Sequence, residues 1–331
     1  MGNPVFVRTA DGRLMSVYHA SEGVCARVFE SGGWSRQKVL LPEGRDSFTV
    51  SMAEDGRVLL FAEGGDGDMR LCTEENSGWA ERPVLRGAGL VKDSPVCALL
   101  SGAEMQLLYA ASGEGKNRLM SQMLGARARA AGAPVDLGSA EPLSGRLFQL
   151  RHVGHKHALL LYLSREPERG LGYREVTPAR IGEFRLLHAT GYRITDASFL
   201  AAPDTLHALF IVKSPFACQL IYRCVDDAGL SEPLVLREGQ RMEHCLLYAA
   251  GGRLTACCLC GGQLFTNSVR ESPGYPLPRM RPPFLSEPVK AQYLAPPDAD
   301  GDAFACGELY ADKVRPWEPR LLDIPPEAFF R

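Results

Sequence analysis

FTVSMA at 48–53, the turn Glu54-Asp55-Gly56 and RVLLFAEG at 57–64 open the stretch on which the fold is decided. A polar loop, Gly65-Asp66-Gly67-Asp68, leads to MRLCTEE at 69–75. Ser77-Gly78-Trp79 then leads to AERPVL at 80–85. These are four short apolar-rich segments separated by turn residues, with Asp-Gly as the hairpin signal between the first two. Four antiparallel strands in so short a stretch, if repeated, make one blade of a β-propeller.

The rest of the chain repeats the stretch. Taking the apolar residue at the middle of each second segment gives Val17, Phe61, Tyr109, Tyr162, Phe210, Cys258 and Cys306. The spacings are 61−17=44, 109−61=48, 162−109=53, then 48 three times (210−162, 258−210 and 306−258). A period in the forties suits a four-stranded blade. A tight-turn pair precedes each anchor: Asp11-Gly12, Asp55-Gly56, Ser101-Gly102, Gly154-His155, Pro203-Asp204, Gly251-Gly252 and Asp300-Gly301. Glycine takes positive φ at little cost, and that is what two-residue hairpins require. A third marker opens the fourth strand, as in Gly33-Trp34-Ser35, Gly78-Trp79-Ala80, Gly229-Leu230-Ser231 and Pro316-Trp317-Glu318-Pro319. Its large apolar residue is expected to pack between blades. The second segments LLLYL (159–163) and LFIV (209–212) are continuous apolar runs, as befits strands covered on both faces.

Two places depart from the beat. Arg127 to Gly132 stands where the third repeat should have its fourth strand, and reads as a helical turn or a loop. Ser272 to Pro283, with five prolines, stands where the sixth should have its own, and reads as an extended loop. The last repeat is short, with three strands or one borrowed from a terminus. The expectation is therefore an all-β chain, a single seven-bladed β-propeller over 1–331, with six blades as the alternative. Its approximate blades are 3–45, 46–92, 93–143, 144–192, 193–240, 241–286 and 287–324. The pattern resembles, in architecture, the broad group of sialidase-like and WD-repeat-like propellers. The sialidase Asp-box and a run of Gly-His and Trp-Asp dipeptides are absent. With three Trp in the chain, nothing matches the aromatic-rich sugar pockets of fucose-binding propeller lectins.

Composition narrows the partners. A formal net charge of −2 gives no basic field for nucleic acid. No apolar run approaches the roughly 20 residues that span a bilayer. Met1-Gly2-Asn3-Pro4 lacks a signal-peptide pattern and a myristoylation context. Ten cysteines, many within apolar segments, read as reduced core residues of a cytoplasmic protein.

Local clusters offer little chemistry. His152, His155 and His157 flank a hairpin turn without a Cys or carboxylate to complete a metal set. In Cys257-Cys258-Leu259-Cys260 the side chains alternate faces and cannot converge on one ion. Asp298, Asp300 and Asp302 alternate as in a calcium loop but lack its glycine position and its terminal Glu. Ser112 to Asn117 contains Gly-Glu-Gly-Lys without phosphate-loop spacing. No metal or cofactor is therefore expected.

The repeat-linked feature is a set of charges at the entry to the innermost strands: Arg45-Asp46, Lys92-Asp93, Arg146, Arg193 with Asp196, Arg241 with Glu243, and Glu287 with Lys290. In a propeller these junctions gather at one mouth of the central channel, and loops on a rigid scaffold carry function. Arg45, Asp46, Lys92, Asp93, Arg193, Asp196, Arg241 and Glu243 are the expected binding residues. Polar strand ends are also ordinary surface. The expected function is a non-catalytic scaffold that binds a protein or peptide at that mouth. The alternative is a glycan-binding or glycoside-hydrolysing propeller using Asp46, Asp93, Asp196 and Glu243. An assembly module, with Ala328-Phe329-Phe330 docking elsewhere, is a third reading.

Overall fold

The computed structural model describes residues 3–9, 11–30, 33–46, 48–52, 56–64, 66–75, 78–86, 90–91, 95–101, 104–113, 115–125, 132–143, 145–154, 157–166, 168–178, 180–189, 191–202, 204–269, 279–280, 288–295 and 304–320. Its regular structure there is strand throughout. Successive antiparallel meanders begin with the inner strands Val5–Arg8, Phe48–Met52, Cys97–Ser101, Gln149–Gly154, Arg193–Ala202, Met242–Ala250 and Pro288–Leu294. The second meander is the plainest, with Phe48–Met52, Val58–Glu63, Met69–Glu75 and Gly78–Leu85 paired in chain order. Between these hairpins the turn glycines do what the dipeptides promised: Gly12, Gly56, Gly251 and Gly252 all have φ between 54° and 82°.

Alternation along the second strands distributes the core. In Val58–Glu63, Val58, Leu60 and Ala62 join a cluster with Val5, Val17 and Val24 of the first meander. Leu59 and Phe61 point the other way, to Ala98 and Leu107 of the third. Phe210 and Val212 pack on the fourth meander and Leu209 and Ile211 on the sixth. The first six meanders are thus partitions with a hydrophobic layer on either side, while the last joins the sheet of the first and shares its layer toward the sixth. Period-2 side chains give this arrangement when sheets stack face to face. Cys257 and Cys258 obey the same rule, one in the layer toward Phe6 and Tyr310, the other in the layer toward Leu209.

Neighbouring inner strands are also tied directly. Ser51 Oγ donates to the Ala98 carbonyl at 3.0 Å, and Ser198 Oγ accepts from the Leu247 amide at 3.1 Å. The ring closes where Val5–Val7 pairs in parallel with Gln292–Leu294. Trp317 seals the same seam, its ring 5.5 Å from that of Tyr18 and 4.5 Å from the Arg27 guanidinium. A second recurring device holds outer strands. Arg27, Arg174 and Arg223 each donate to a carbonyl eight residues on, at Ser35, Gly182 and Ser231. Arg174 and Arg223 reach further, to the Leu137 and Leu187 carbonyls of the preceding meander.

Four expectations need correction. The third meander has its fourth strand at Val135–Glu141, beyond the 127–132 stretch, and it runs on to pair with His157–Glu166 of the next. Inside the proline-rich segment, Arg279–Met280 pairs with Leu264–Phe265 as a short fourth strand. Cys306 is not in the second strand of the last meander. Phe304–Cys306 pairs with the inner strand of the sixth, and Glu308–Asp312 is the second strand. The Trp34 and Trp79 markers do pack between meanders, but Leu230 is 42% exposed. The last meander has three described strands, Pro288–Leu294, Glu308–Asp312 and Pro319–Arg320. The segments 298–302 and 328–330 lie outside the described residues.

Candidate functional site

The entries of the inner strands converge on one cavity of about 840 Å³. Asp46, Thr49, Pro95, Arg146, Asp196, Gln240, Arg241, Glu243, His244, Lys290 and Gln292 are in its wall. Asp46, Asp196, Arg241 and Lys290 stand at or near the start of their inner strands and face the cavity. Val50, Ala197 and Leu247 of the same strands enter the layers between meanders. Two of these strands are bulged at the wall. The register slips between Ile194 and Asp196, and again between Glu243 and Leu246, where His244 has a φ of 51°. A bulge re-aims the side chains beside it, and a non-glycine residue held at positive φ is uncommon. The strained His244 carbonyl accepts the hydroxyl of Tyr310 from the last meander.

A buried ionic network crosses beneath the wall. Lys290, 4% exposed, donates to Asp196 Oδ1 at 3.0 Å and to the Ala197 carbonyl at 2.8 Å, and lies 3.2 Å from Glu308 Oε2. The other Asp196 oxygen accepts the Cys245 amide at 2.7 Å. Burial works to depress the Lys290 ammonium. The carboxylates of Asp196 and Glu308 outweigh it and hold the group above the ordinary lysine value. Cys245 is pushed well up by burial first and by Asp196 second. Alongside lie Arg146 and Arg151, whose guanidiniums are depressed first by burial, against the opposing attraction of Glu308. Arg151 Nη2 donates to Gln149 Oε1 at 2.7 Å.

Of the residues expected from sequence, Asp46, Asp196, Arg241 and Glu243 meet in this cavity. Arg45 instead pairs with Glu63 and faces a separate recess with His19 and Ser21. Arg193 lies in a third recess beside Arg165 and Glu141. Lys92 and Asp93 lie outside the described residues, as does His155. Burial pushes His152 down to about 4, and Lys116 of the Gly-Glu-Gly-Lys loop pairs with Glu166 at 2.5 Å. Arg146 and Lys290 belonged to the predicted ring of charges and are in the cavity wall. Arg151, Gln149 and Glu308 were missed. The available signal was polar residues at alternate positions, Gln149 and Arg151 around Leu150, in the inner strand Gln149–Gly154.

Layers between successive meanders, a parallel seam joining first to last, and one cavity where the inner strands begin leave one architecture. The fold is a β-propeller. A solved structure at a TM-score of 0.50 agrees. The SapL1 lectin in complex with α-methyl fucoside matches over 83% of this chain and 95% of its own, at 12% identity and a TM-score of 0.50. The fungal lectin of Aleuria aurantia, described as a six-bladed β-propeller, matches over 83% and 94% at 11% identity and a TM-score of 0.48. An ulvan lyase of a polysaccharide lyase family matches over 81% of each chain at 11% identity and 0.49. At these identities the likeness is one of fold. No family model matches the propeller, and no curated protein matches it in sequence.

Proposed function

We propose that this propeller binds a glycan in the cavity at the entry of its inner strands, without hydrolysing it. The observation that carries the reading is the wall itself. Carboxylates, amides and cations of Asp46, Gln240, Arg241, Glu243 and Gln292 stand around about 840 Å³ with Phe48 beside them. That mixture of hydrogen-bonding groups with one aromatic suits a polyhydroxylated ligand better than an apolar peptide anchor. The fold shared with SapL1 lectin, whose structure holds α-methyl fucoside, is consistent with it. The protein- or peptide-binding reading gains no such support, and the glycan alternative replaces it. Binding is favoured over hydrolysis because Asp196 is already committed to Lys290 and to the Cys245 amide. A carboxylate so engaged is poorly placed to act as nucleophile or base.

We also infer six blades, the alternative to seven, because the sixth meander packs directly on the first and the parallel pairing joins the last inner strand to the sheet of the first. Titration calorimetry of the full chain against neutral and acidic oligosaccharides tests the function. Binding that falls at least tenfold in Glu243→Ala and Asp46→Ala, with thermal stability unchanged, is the expected result. A folded protein that binds no saccharide, yet captures a protein through the same two residues, would overturn it.

A further inference from the structure

Two buried cations, Lys290 and Arg151, and two buried carboxylates, Asp196 and Glu308, share the interior below the cavity, and Arg146 stands half-buried in its wall. Lys290 takes up both carboxylates, at 3.0 Å and 3.2 Å. Among the described residues, neither arginine has a carboxylate within ion-pair distance. Glu308, the acid whose field both feel, lies against Lys290.

Arg151 is 7% exposed and, among the described residues, its Nε has no hydrogen-bond partner and its one side-chain bond goes to the neutral amide of Gln149. Gln149, also buried, keeps its Nε2 without a partner. Gly307 stands close by. A Cβ there would lie 2.5 Å from Arg151 Nε and 2.6 Å from Cζ, so the absence of a side chain is what lets the guanidinium lie in this place. Arg146 is in the cavity wall, where ligand can reach it, and its guanidinium donates no hydrogen bond among the described residues.

A guanidinium keeps its charge at any physiological pH, and leaving one buried without a counterion is expensive. Arg151 lies near enough to weigh on the Arg146 charge, and with unused N–H groups on Arg151 and Gln149 beside it the pair forms an incomplete oxyanion site. We propose that Arg146, backed by Arg151 and Gln149, binds one oxyanion, a carboxylate or sulfate group. On the glycan reading above, the ligand is then an acidic saccharide whose charged group enters the channel first. Polar rim residues Asp46 and Glu243 are left to meet the hydroxyls.

The test pairs matched ligands on the intact chain: glucuronate-containing against glucose oligosaccharides, sulfated against unsulfated ones, and inorganic sulfate alone. Wild-type protein is expected to bind the acidic member at least tenfold more tightly, with affinity falling as NaCl rises. Arg146→Gln is expected to erase that preference, and Arg146→Lys to restore part of it. The wild-type contrast stands even if a variant fails to fold. Equal affinity for neutral and acidic members, unchanged in Arg146→Gln, would overturn the oxyanion site and leave the glycan reading intact. Sulfate raising the melting temperature of wild type but not of Arg146→Gln, with no saccharide bound, would uphold the site and overturn the glycan reading. No response to sulfate or to any saccharide would overturn both.

Discussion

Replacing Lys290 by methionine removes the cation from a buried site that keeps two carboxylates. The side chain is 4% exposed, and its ammonium makes contacts of 2.8 Å, 3.0 Å and 3.2 Å to the Ala197 carbonyl, Asp196 and Glu308. Methionine fills much of the volume, so the main consequence is two buried acids without their partner. Breaking a buried pair by removing one member costs about 3–5 kcal/mol. An unfolding entropy of about 2.1 cal/mol/K per residue over this chain corresponds to about 0.7 kcal/mol per degree, so the melting temperature should fall by about 4–7 °C. The triple variant Lys290→Met, Asp196→Asn, Glu308→Gln carries no charge there and should regain at least half of the loss, since neutral replacements of buried ionic sets are often tolerated. The pH dependence follows from the raised value of Lys290. Its contribution is intact below the ordinary lysine value of about 10.4 and is lost as pH climbs through the higher folded value. Calorimetric scans of the three proteins from pH 7 to pH 11 make the measurement. A single variant melting within 1 °C of wild type, or a triple variant no more stable than the single, would refute the reasoning.

Three further outcomes are expected. His152, held at about 4 by burial and by Arg151, is neutral in the folded protein while the unfolded chain protonates near 6.5, so stability should drop by about 2–3 kcal/mol between those values as pH falls. Urea titrations at pH 7 and pH 4.5 check this, and His152→Leu should flatten the difference. Gly307→Ala should drive the Arg151 guanidinium off Gln149 and cost about 1–3 kcal/mol, read as a shift of the urea midpoint. Arg45→Ala should change stability by less than about 1 kcal/mol and leave ligand affinity within twofold, because its pair with Glu63 is at the surface and faces another recess.

Much of this architecture was legible in the chain because its causes are local. Strand period, two-residue turns and the Gly-Trp marker depend on neighbouring residues and on which side chains must leave water. LLLYL at 159–163 and LFIV at 209–212 therefore announced strands covered on both faces before any partner was known. The departures were legible only as gaps. Nothing near Arg127 says that the missing strand waits at Val135, because strand pairing there is decided by what the next meander offers. For the same reason, Cys306 kept the beat while pairing with the wrong sheet.

The site divides along the same line. Sequence alone determined that charges recur where inner strands begin, since polar residues at those places are set by each repeat separately. Only the tertiary structure decided which of them meet. Lys290 reaches Asp196 across 94 residues, Arg151 reaches toward Gly307 and Glu308, and Arg45 and Arg193 turn into other recesses. A bulge that turns one side chain, and a ring closed by Val5 against Gln292, depend on the packing of all the meanders at once. No local pattern encodes that sum.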